Sequence, residues 1–543
     1  MNKTIFQKIN KLIRNIPDTQ KVFILTLGFI FTWIYKTPIT AALFNGKGFY
    51  GRNILYQLLF VVFFTLLFAG LLLLSLKLLQ LLPFFGRFLR TNESRYQSML
   101  QTMKEDPVYR LLVALGILSA GVVVIFLINN LLVNIDTEQW LYTAHTGLPF
   151  LSPIGWDFRN GVYRPAQNLF IDHSLQQIWT NKVNTNTYPP FVLLLGLCYL
   201  PFNENTAYVI HLAFLFLASI ASLVIATLII KEYLLKNLGI SKNMVRLVSG
   251  FVFFVTLILL FISYPFAFLL ERGNYDVFAI FFSLLAVWVL LRHPEKLWTQ
   301  VILLTVATHL KIYPAILFFL LLKQHGKKMI LPVLGANLFF LFILGPNNTF
   351  AFFNTLTQSY GANNHWLSYD NHSSYSFVWQ ILENYLPVLK PRFVSLWILF
   401  TLIPVVLWGI VTVKLFKKNA TVFTLVTFFI VSVTVMDLIP TVSHDYKLTI
   451  LFPSIALLMA MILRSVIVKG ETVDFLQLAA LLIVILLLTR SYSYFGELNF
   501  FYLAKKYLWS LSLALLALWS LFRMELKGFK KAEEALSASD SVK

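Results

Sequence analysis

The chain has 543 residues, of which 58% are hydrophobic and 13% charged, and its formal net charge is +20 at pH 7. Typical soluble domains carry about a quarter charged residues, so this composition and a mean hydropathy of +0.74 exclude an ordinary soluble protein. We therefore expect an all-α, polytopic integral membrane protein whose spans are roughly 20 residues long. The single cysteine, Cys198, excludes an intramolecular disulfide and a cysteine-based metal site.

The apolar runs of the chain predict about fourteen transmembrane helices, with both termini in the cytoplasm. The basic segment 1–21 lacks the apolar core and cleavage site of a signal peptide, which favours a cytoplasmic start. In this threading most Lys and Arg residues fall on the cytoplasmic side, as the positive-inside rule requires, so the net charge indicates orientation rather than a nucleic-acid partner. The predicted spans are 22–44, 54–84, 111–134, 205–231, 246–270, 276–292, 297–310, 313–323, 329–345, 396–416, 420–440, 448–464, 473–489 and 506–522.

Three parts of the chain follow from this threading. Segment 1–109 holds the cytoplasmic start, an extra two-helix hairpin and a basic linker. Segment 110–522 is the predicted transmembrane core, with long outer loops over 134–188 and 346–395, and segment 523–543 is a cytoplasmic tail. The apolar stretch 188–201 is too short to cross, and we expect a half-helix that enters from the outer face.

The first outer loop carries Asp157 within the sequence Gly155-Trp156-Asp157-Phe158. A carboxylate in a partly dehydrated pocket can take a proton from a hydroxyl group as that hydroxyl attacks a sugar carbon. Alternatively, Asp157 is an exposed loop carboxylate that pairs with Arg159 or Arg164. Composition alone leaves both interpretations open.

Lys311 lies where the two unusually short runs 297–310 and 313–323 meet. A short helical hairpin would leave its ammonium below the outer membrane surface, where a buried cation normally faces a cavity and an anionic partner. A phosphate group is a natural candidate for that partner, and His309 and His444 are further candidates to bind it. Alternatively, Lys311 reaches the membrane interface beside Tyr313 and binds nothing.

The turn from Glu271 to Asp276 concentrates polar side chains between two apolar spans. Arg272 could bind a phosphate or Asp157, and Asn274 and Asp276 could bind sugar hydroxyls. Salt bridges within the turn are the alternative.

The outer loop 346–395 is dense in amides, hydroxyls and aromatic rings, a mixture that suits sugar recognition and also any exposed interfacial loop. Asn371 and His372 are its candidate ligands for a sugar or acceptor. The histidines form no His-x-x-His pair, and the inner segments contain no P-loop. We therefore predict a site without a metal or another cofactor.

Several of these residues occur in a known order. Gly155-x-Asp157-Phe158 is followed by Tyr163 and Ala166 and then by Tyr188-Pro189-Pro190, and this order resembles the opening of the C-type (GT-C) membrane glycosyltransferases of family 87. Lys311-Ile312-Tyr313-Pro314, with the basic residues that follow it, is similar to that family's Lys-x-Tyr-Pro segment. The resemblance covers roughly 110–522. The chain also resembles the polyprenyl-phosphate-mannose-dependent mannosyltransferases of bacterial envelopes.

The resemblance implies a GT-C-like fold and assigns the catalytic base to Asp157, with Asp136 as the second candidate at the start of the same loop. It implies inverting, metal-independent transfer of a hexose, with mannose expected, from a polyprenyl-phosphate donor to an envelope glycolipid or glycan. The site would face the periplasm from the inner membrane, in contact with membrane lipids. Lys311 would stabilise the departing phosphate, helped by Arg272 or His444. The candidate ligands from the first loop for sugar or acceptor are Tyr163, Arg164 and Tyr188.

Two other functions remain open at the level of the sequence. A flippase or transporter of a lipid-linked saccharide would predict related halves and polar residues near the bilayer midplane, and the sequence has no clear internal repeat. A glycan ligase or polymerase would transfer a whole oligosaccharide instead of one sugar.

Overall fold

The computed structural model describes residues 155–171, 189–235, 242–261, 263–362, 371–418, 420–467, 475–489 and 506–525, together with isolated positions before residue 122. The chain forms two compact units. The first comprises 1–136, 465–482 and 495–502, and its described positions between 111 and 121 are helical and bury Leu111 and Leu118. The second comprises 137–464, 483–494 and 503–543, and it contains all the site residues described below.

The described part of the chain is helical and contains no β-strand. Its α-helices, in chain order, are α1 Trp156–Phe158, α2 Arg164–Phe170, α3 Pro190–Gly196, α4 Glu204–Ile229, α5 Lys242–Phe261, α6 Tyr264–Arg272, α7 Asp276–Arg292, α8 Leu297–Leu310, α9 Phe318–His325, α10 Ile330–Leu341, α11 Pro346–Ala362, α12 Ser374–Asn384, α13 Phe393–Leu415, α14 Val422–Leu438, α15 Phe452–Ile467, α16 Phe475–Thr489 and α17 Lys506–Glu525. The 3₁₀ segments are Leu197–Tyr199, Tyr313–Leu317, Gly326–Met329, Pro387–Arg392 and Asp445–Leu451, and the π-helical segments are Arg159–Tyr163 and Ile230–Leu234.

Several described helices are long and apolar enough to cross a membrane. By length and composition there are five among the described residues, or up to seven when each of two bent helix pairs counts as one span. The chain is therefore a polytopic, helical membrane protein. Most of the predicted spans 22–44, 54–84 and 111–134 lie outside the described residues, so the total of fourteen stays a prediction.

One predicted span needs correction. The run 246–270 is not one helix, because α5 ends at Phe261 and the Ser263 hydroxyl caps α6 by accepting from the amide of Phe266 at 3.4 Å. The predicted outer loop 346–395 contains α11 and α12, and the Ser373 hydroxyl caps α12. Its location on the outer face stays a prediction.

The break between α6 and α7 creates the turn on which the candidate site is built. The two helices meet at 111°, and Gly273 ends α6 with a φ of +65°. Gly155 also has a positive φ, +82°, and its N–H donates to the carbonyl of Glu271 at 2.6 Å. This backbone contact holds the start of α1 against the turn.

Aromatic packing also supports the contact between α1 and the turn. Phe158 is fully buried, stacks on His211 with ring centroids 4.5 Å apart, and meets Tyr199 edge-on at 5.0 Å. His211 Nε2 lies 3.0 Å from the carbonyl oxygen of Gly273, and its Nδ1 lies 3.0 Å from the Tyr199 hydroxyl. The ring therefore ties α4 to the turn that ends α6.

We predict that Gly273→Ala destabilises the protein. A left-handed conformation costs a residue with a Cβ about 1–2 kcal/mol, and a Cβ here would lie 2.9 Å from the Cβ of Phe158. A lower melting temperature in detergent is the expected result. Gly250→Ala is the matched control, because nothing lies within 4 Å of its Cβ position in α5. Equal melting temperatures for Gly273→Ala and wild type would contradict the prediction.

Candidate active site

Asp157 binds two side chains of the α6–α7 turn. Its Oδ1 accepts from Arg272 Nη2 at 2.5 Å, and its Oδ2 accepts from Asn274 Nδ2 at 2.7 Å. The Asp157 side chain is 12% exposed. The contacts join residues that are more than a hundred positions apart in sequence, so α1 and the turn form one site.

The predicted alternative for Asp157 is wrong. Arg159 and Arg164 both pair with Glu204 at the start of α4, at 3.5 Å and 2.9 Å, rather than with Asp157. They lie in a helical stretch that follows α1 and contains the π-helical turn Arg159–Tyr163. Such turns are frequent at functional sites. Here the turn directs the two arginines away from the carboxylate.

The environment of Asp157 lowers its pKa. Burial by itself raises the pKa of this carboxyl, but the charge of Arg272, the hydrogen bond from Asn274 and the charge of Lys311 outweigh burial and hold the pKa below its ordinary value of 3.8. Asp157 lies outside the helices long enough to cross a membrane. It is therefore an ionised carboxylate at neutral pH that can accept a proton.

A second carboxylate in the turn faces Lys311. Asp276 begins α7, is 1% exposed and accepts a hydrogen bond from the Tyr313 hydroxyl. Lys311 Nζ lies 3.9 Å from Asp276 Oδ1, and its side chain is 21% exposed. Lys311 follows the last residue of α8, which has the predicted bounds 297–310. The lysine thus has a buried anionic neighbour, instead of reaching the membrane interface unpaired.

Tyr313 connects this pair to the segment that precedes α15. Lys447 Nζ lies 4.4 Å from the centroid of the Tyr313 ring and donates to the Met436 carbonyl at 2.6 Å and to Ser443 Oγ at 3.2 Å. Lys447 is 4% exposed. Asp157, the 271–276 turn, Lys311 and Lys447 are thus connected by a continuous series of contacts.

A further group of buried charges surrounds His372. Its Nε2 lies 2.9 Å from Asp437 Oδ1, and its Nδ1 lies 3.1 Å from Asp445 Oδ1. Ser510 of α17 donates to Asp437 Oδ2 at 2.9 Å, and Lys506 of the same helix pairs with Asp445. Both nitrogens of His372 are engaged, so the ring links α14 to the 3₁₀ segment, and the two carboxylates link both to α17. Sugar binding by His372 stays a prediction.

Sequence reasoning missed Asp437 and Lys506. Each is a single charge at the end of an apolar stretch. An ionisable residue inside or at the edge of a predicted span is the signal that could have identified both.

Other predicted ligands are also engaged within the protein. Asn371 donates to the Thr441 carbonyl, accepts from the amides of Ser373 and Ser443, and forms an isolated bridge with His444. These contacts fix the backbone beside His372. Asn371 is thus bound to main-chain groups, and its role as a sugar or acceptor ligand stays a prediction.

Four more predicted residues are accounted for as follows. Tyr163 donates its hydroxyl to the Phe202 carbonyl at 2.7 Å, and His309 packs its ring 5.6 Å from that of Phe340. Asp136 and Tyr188 lie outside the described residues. The functions predicted for these four stay predictions.

Residues 186–440 match the family model described as Glycosyltransferase family 87. The matched segment covers a little under half of the chain and is similar to that family. The match confirms the family resemblance and supports glycosyltransferase activity. No curated protein matches the chain, and no solved structure matches it either. The family 87 segment contains the 271–276 turn, Lys311 and His372, whereas Asp157 precedes it and Lys506 follows it.

We predict that Lys506→Met strongly destabilises the protein. Removing one partner of a buried ion pair costs roughly 3–5 kcal/mol, because the other charge stays buried without compensation, and the Lys506 side chain is 7% exposed. Lys390→Met is the control, since Lys390 pairs with Glu383 at 2.7 Å with both side chains over 40% exposed and such pairs contribute about 0–1 kcal/mol. Equal thermal stability of the two variants in detergent would refute the prediction.

Proposed function

We propose that this protein transfers a hexose, with mannose as the candidate sugar, from a polyprenyl-phosphate donor to an envelope glycolipid or glycan on the outer face of the membrane. The observation that carries the proposal is the ionised, buried Asp157 held beside the turn of the family 87 segment. The family match supports sugar transfer, and the helical membrane architecture favours a donor that resides in the lipid.

The proposed reaction is an inverting displacement. The acceptor hydroxyl oxygen attacks the anomeric carbon as its proton passes to Asp157, and the bond from that carbon to the phosphate oxygen breaks with both electrons leaving on the phosphate. Asp157 suits the general base because its carboxylate is ionised and held in one orientation by two hydrogen bonds.

The two cations of the site suit different tasks. Arg272 binds Asp157 at 2.5 Å and is therefore proposed to hold the base rather than to bind the donor phosphate. Lys311 makes a looser contact with Asp276, at 3.9 Å, and is proposed to stabilise the negative charge that develops on the leaving phosphate.

Asn274 is proposed to orient the acceptor. Its Nδ2 donates to Asp157, and its Oδ1 is buried with no hydrogen-bond partner among the described residues. A hydroxyl donor from the substrate would satisfy that oxygen, since buried polar atoms normally have a partner. Such a hydroxyl would lie next to the base.

The first test is transfer of radiolabelled mannose from polyprenyl-phosphate-mannose in membranes that contain the protein. We expect Asp157→Asn to lower the transfer rate about 10²–10⁴-fold, as for loss of a general base. Glu204→Gln is the control, because Glu204 is a carboxylate that pairs with Arg159 and Arg164 instead of touching the turn. Transfer at the wild-type rate by Asp157→Asn would contradict the assignment of Asp157 as the general base. Movement of lipid without transfer by wild type would instead indicate a transporter.

The second test is the pH dependence of kcat/KM. Activity requires ionised Asp157, so it is lost as the pH falls through the pKa of that carboxyl, which lies below 3.8 in wild type. Arg272→Gln removes a charge that lowers this pKa. We therefore expect kcat/KM to fall at a pH about 1–3 units higher than in wild type. Arg392→Gln, at an exposed position, should leave this pH unchanged. An unchanged pH dependence in Arg272→Gln would contradict the role of the arginine.

A further inference from the structure

The two carboxylates Asp157 and Asp276 are each paired with a cation before any ligand is present. Asp157 and Asp276 supply two negative charges, and Arg272 and Lys311 supply two positive charges. A buried charge without a partner is costly. An anionic ligand that binds either cation therefore competes with the carboxylate paired to it.

The two ion pairs differ in what such an exchange would break. Separating Arg272 from Asp157 removes a hydrogen bond of 2.5 Å from the carboxylate. Lys311 and Asp276, at 3.9 Å, attract each other beyond hydrogen-bond distance. Of the two ion pairs, Lys311–Asp276 is thus the one that can separate with the smaller loss.

Asp276 would not be left without a partner after the exchange. The Tyr313 hydroxyl donates to its Oδ1, and Tyr313 is held from the other side by Lys447, whose Nζ lies 4.4 Å from the ring centroid. The Asp276 side chain is 2% exposed, whereas that of Lys311 is 21% exposed. Only the flexible lysine has to move, while the carboxylate and the phenol can stay in place.

We propose that Asp276 is an exchangeable counter-ion for Lys311, which yields the lysine to the donor phosphate, and that Tyr313 is a positioning residue that retains Asp276 during the exchange. The inference rests on the proposed function for the identity of the ligand. It makes Asp276 a competitor of the phosphate, not a ligand of the sugar, and it gives the tyrosine of the Lys-x-Tyr-Pro segment a physical task.

The exchange is tested by titrating undecaprenyl phosphate into the full-length protein in detergent micelles and measuring Kd. We expect Lys311→Met to weaken binding at least tenfold. Asp276→Asn should tighten binding several-fold, because Lys311 no longer has an internal competitor. Tyr313→Phe should weaken binding several-fold, because Asp276 then depends on Lys311, and this effect should vanish in the Asp276→Asn background. Lys390→Met, at an exposed ion pair, should bind like wild type.

Lys311→Met and Asp276→Asn are expected to change Kd in opposite directions, and this difference makes the test decisive. If Asp276→Asn weakens binding as Lys311→Met does, the carboxylate orients the lysine and the exchange is refuted. A wild-type Kd for Tyr313→Phe, or no binding by wild type, would also refute it. Tyr313→Phe keeps the ring under Lys447, so its Kd is informative even where Asp276→Asn fails to fold.

The outcome is separable from that of the proposed function. A protein that binds the lipid with the expected order of variants but transfers no sugar would retain the exchange and lose the proposed reaction. A protein that transfers sugar, but in which Asp276→Asn binds the lipid more weakly, would lose only the exchange.

Discussion

The buried carboxylate of Asp157 is the constraint on which the local structure depends. A carboxylate that is only 12% exposed requires compensation, and both of its hydrogen-bond donors come from the turn between α6 and α7. That turn exists because Gly273 takes a left-handed conformation, and α1 reaches it because Gly155 donates a backbone hydrogen bond to it. The helix break, the two glycines and the ion pair therefore form one arrangement, in which loss of any part exposes or isolates a charge.

The same requirement extends through a chain of buried polar contacts. Asp276 accepts a hydrogen bond from the Tyr313 hydroxyl, and Lys447 lies over the Tyr313 ring. Lys447 donates a hydrogen bond to Ser443, which in turn donates to the backbone carbonyl of Asp437. Ionisable groups are expensive within an apolar protein of this kind, so each of them has a partner in a different helix or segment. Pairing across segments joins the family 87 segment to residues on both sides of it.

The features that can be predicted from the sequence are those that depend on the local pattern of residues. Hydropathy identifies the membrane class, and the short run before Lys311 matches α8. The partners of charged groups depend instead on tertiary contacts. Asp437 and Lys506 are lone charges in separate helices, and nothing local relates them to His372 or Asp445. For the same reason the sequence left open whether Asp157 is a general base or pairs with Arg159 or Arg164.

The division of the two cations follows from the chemistry proposed for the site. An inverting transfer needs a base that stays ionised and a positive charge that is available to the leaving phosphate. A single cation that moved to the phosphate would leave the Asp157 carboxylate without its ion-pair partner, which is costly at low exposure. Arg272 is bound to Asp157 at hydrogen-bond distance, and Lys311 lies 3.9 Å from a carboxylate that has a second partner. The geometry thus separates a fixed cation, suited to holding the base, from a movable one, suited to following the phosphate.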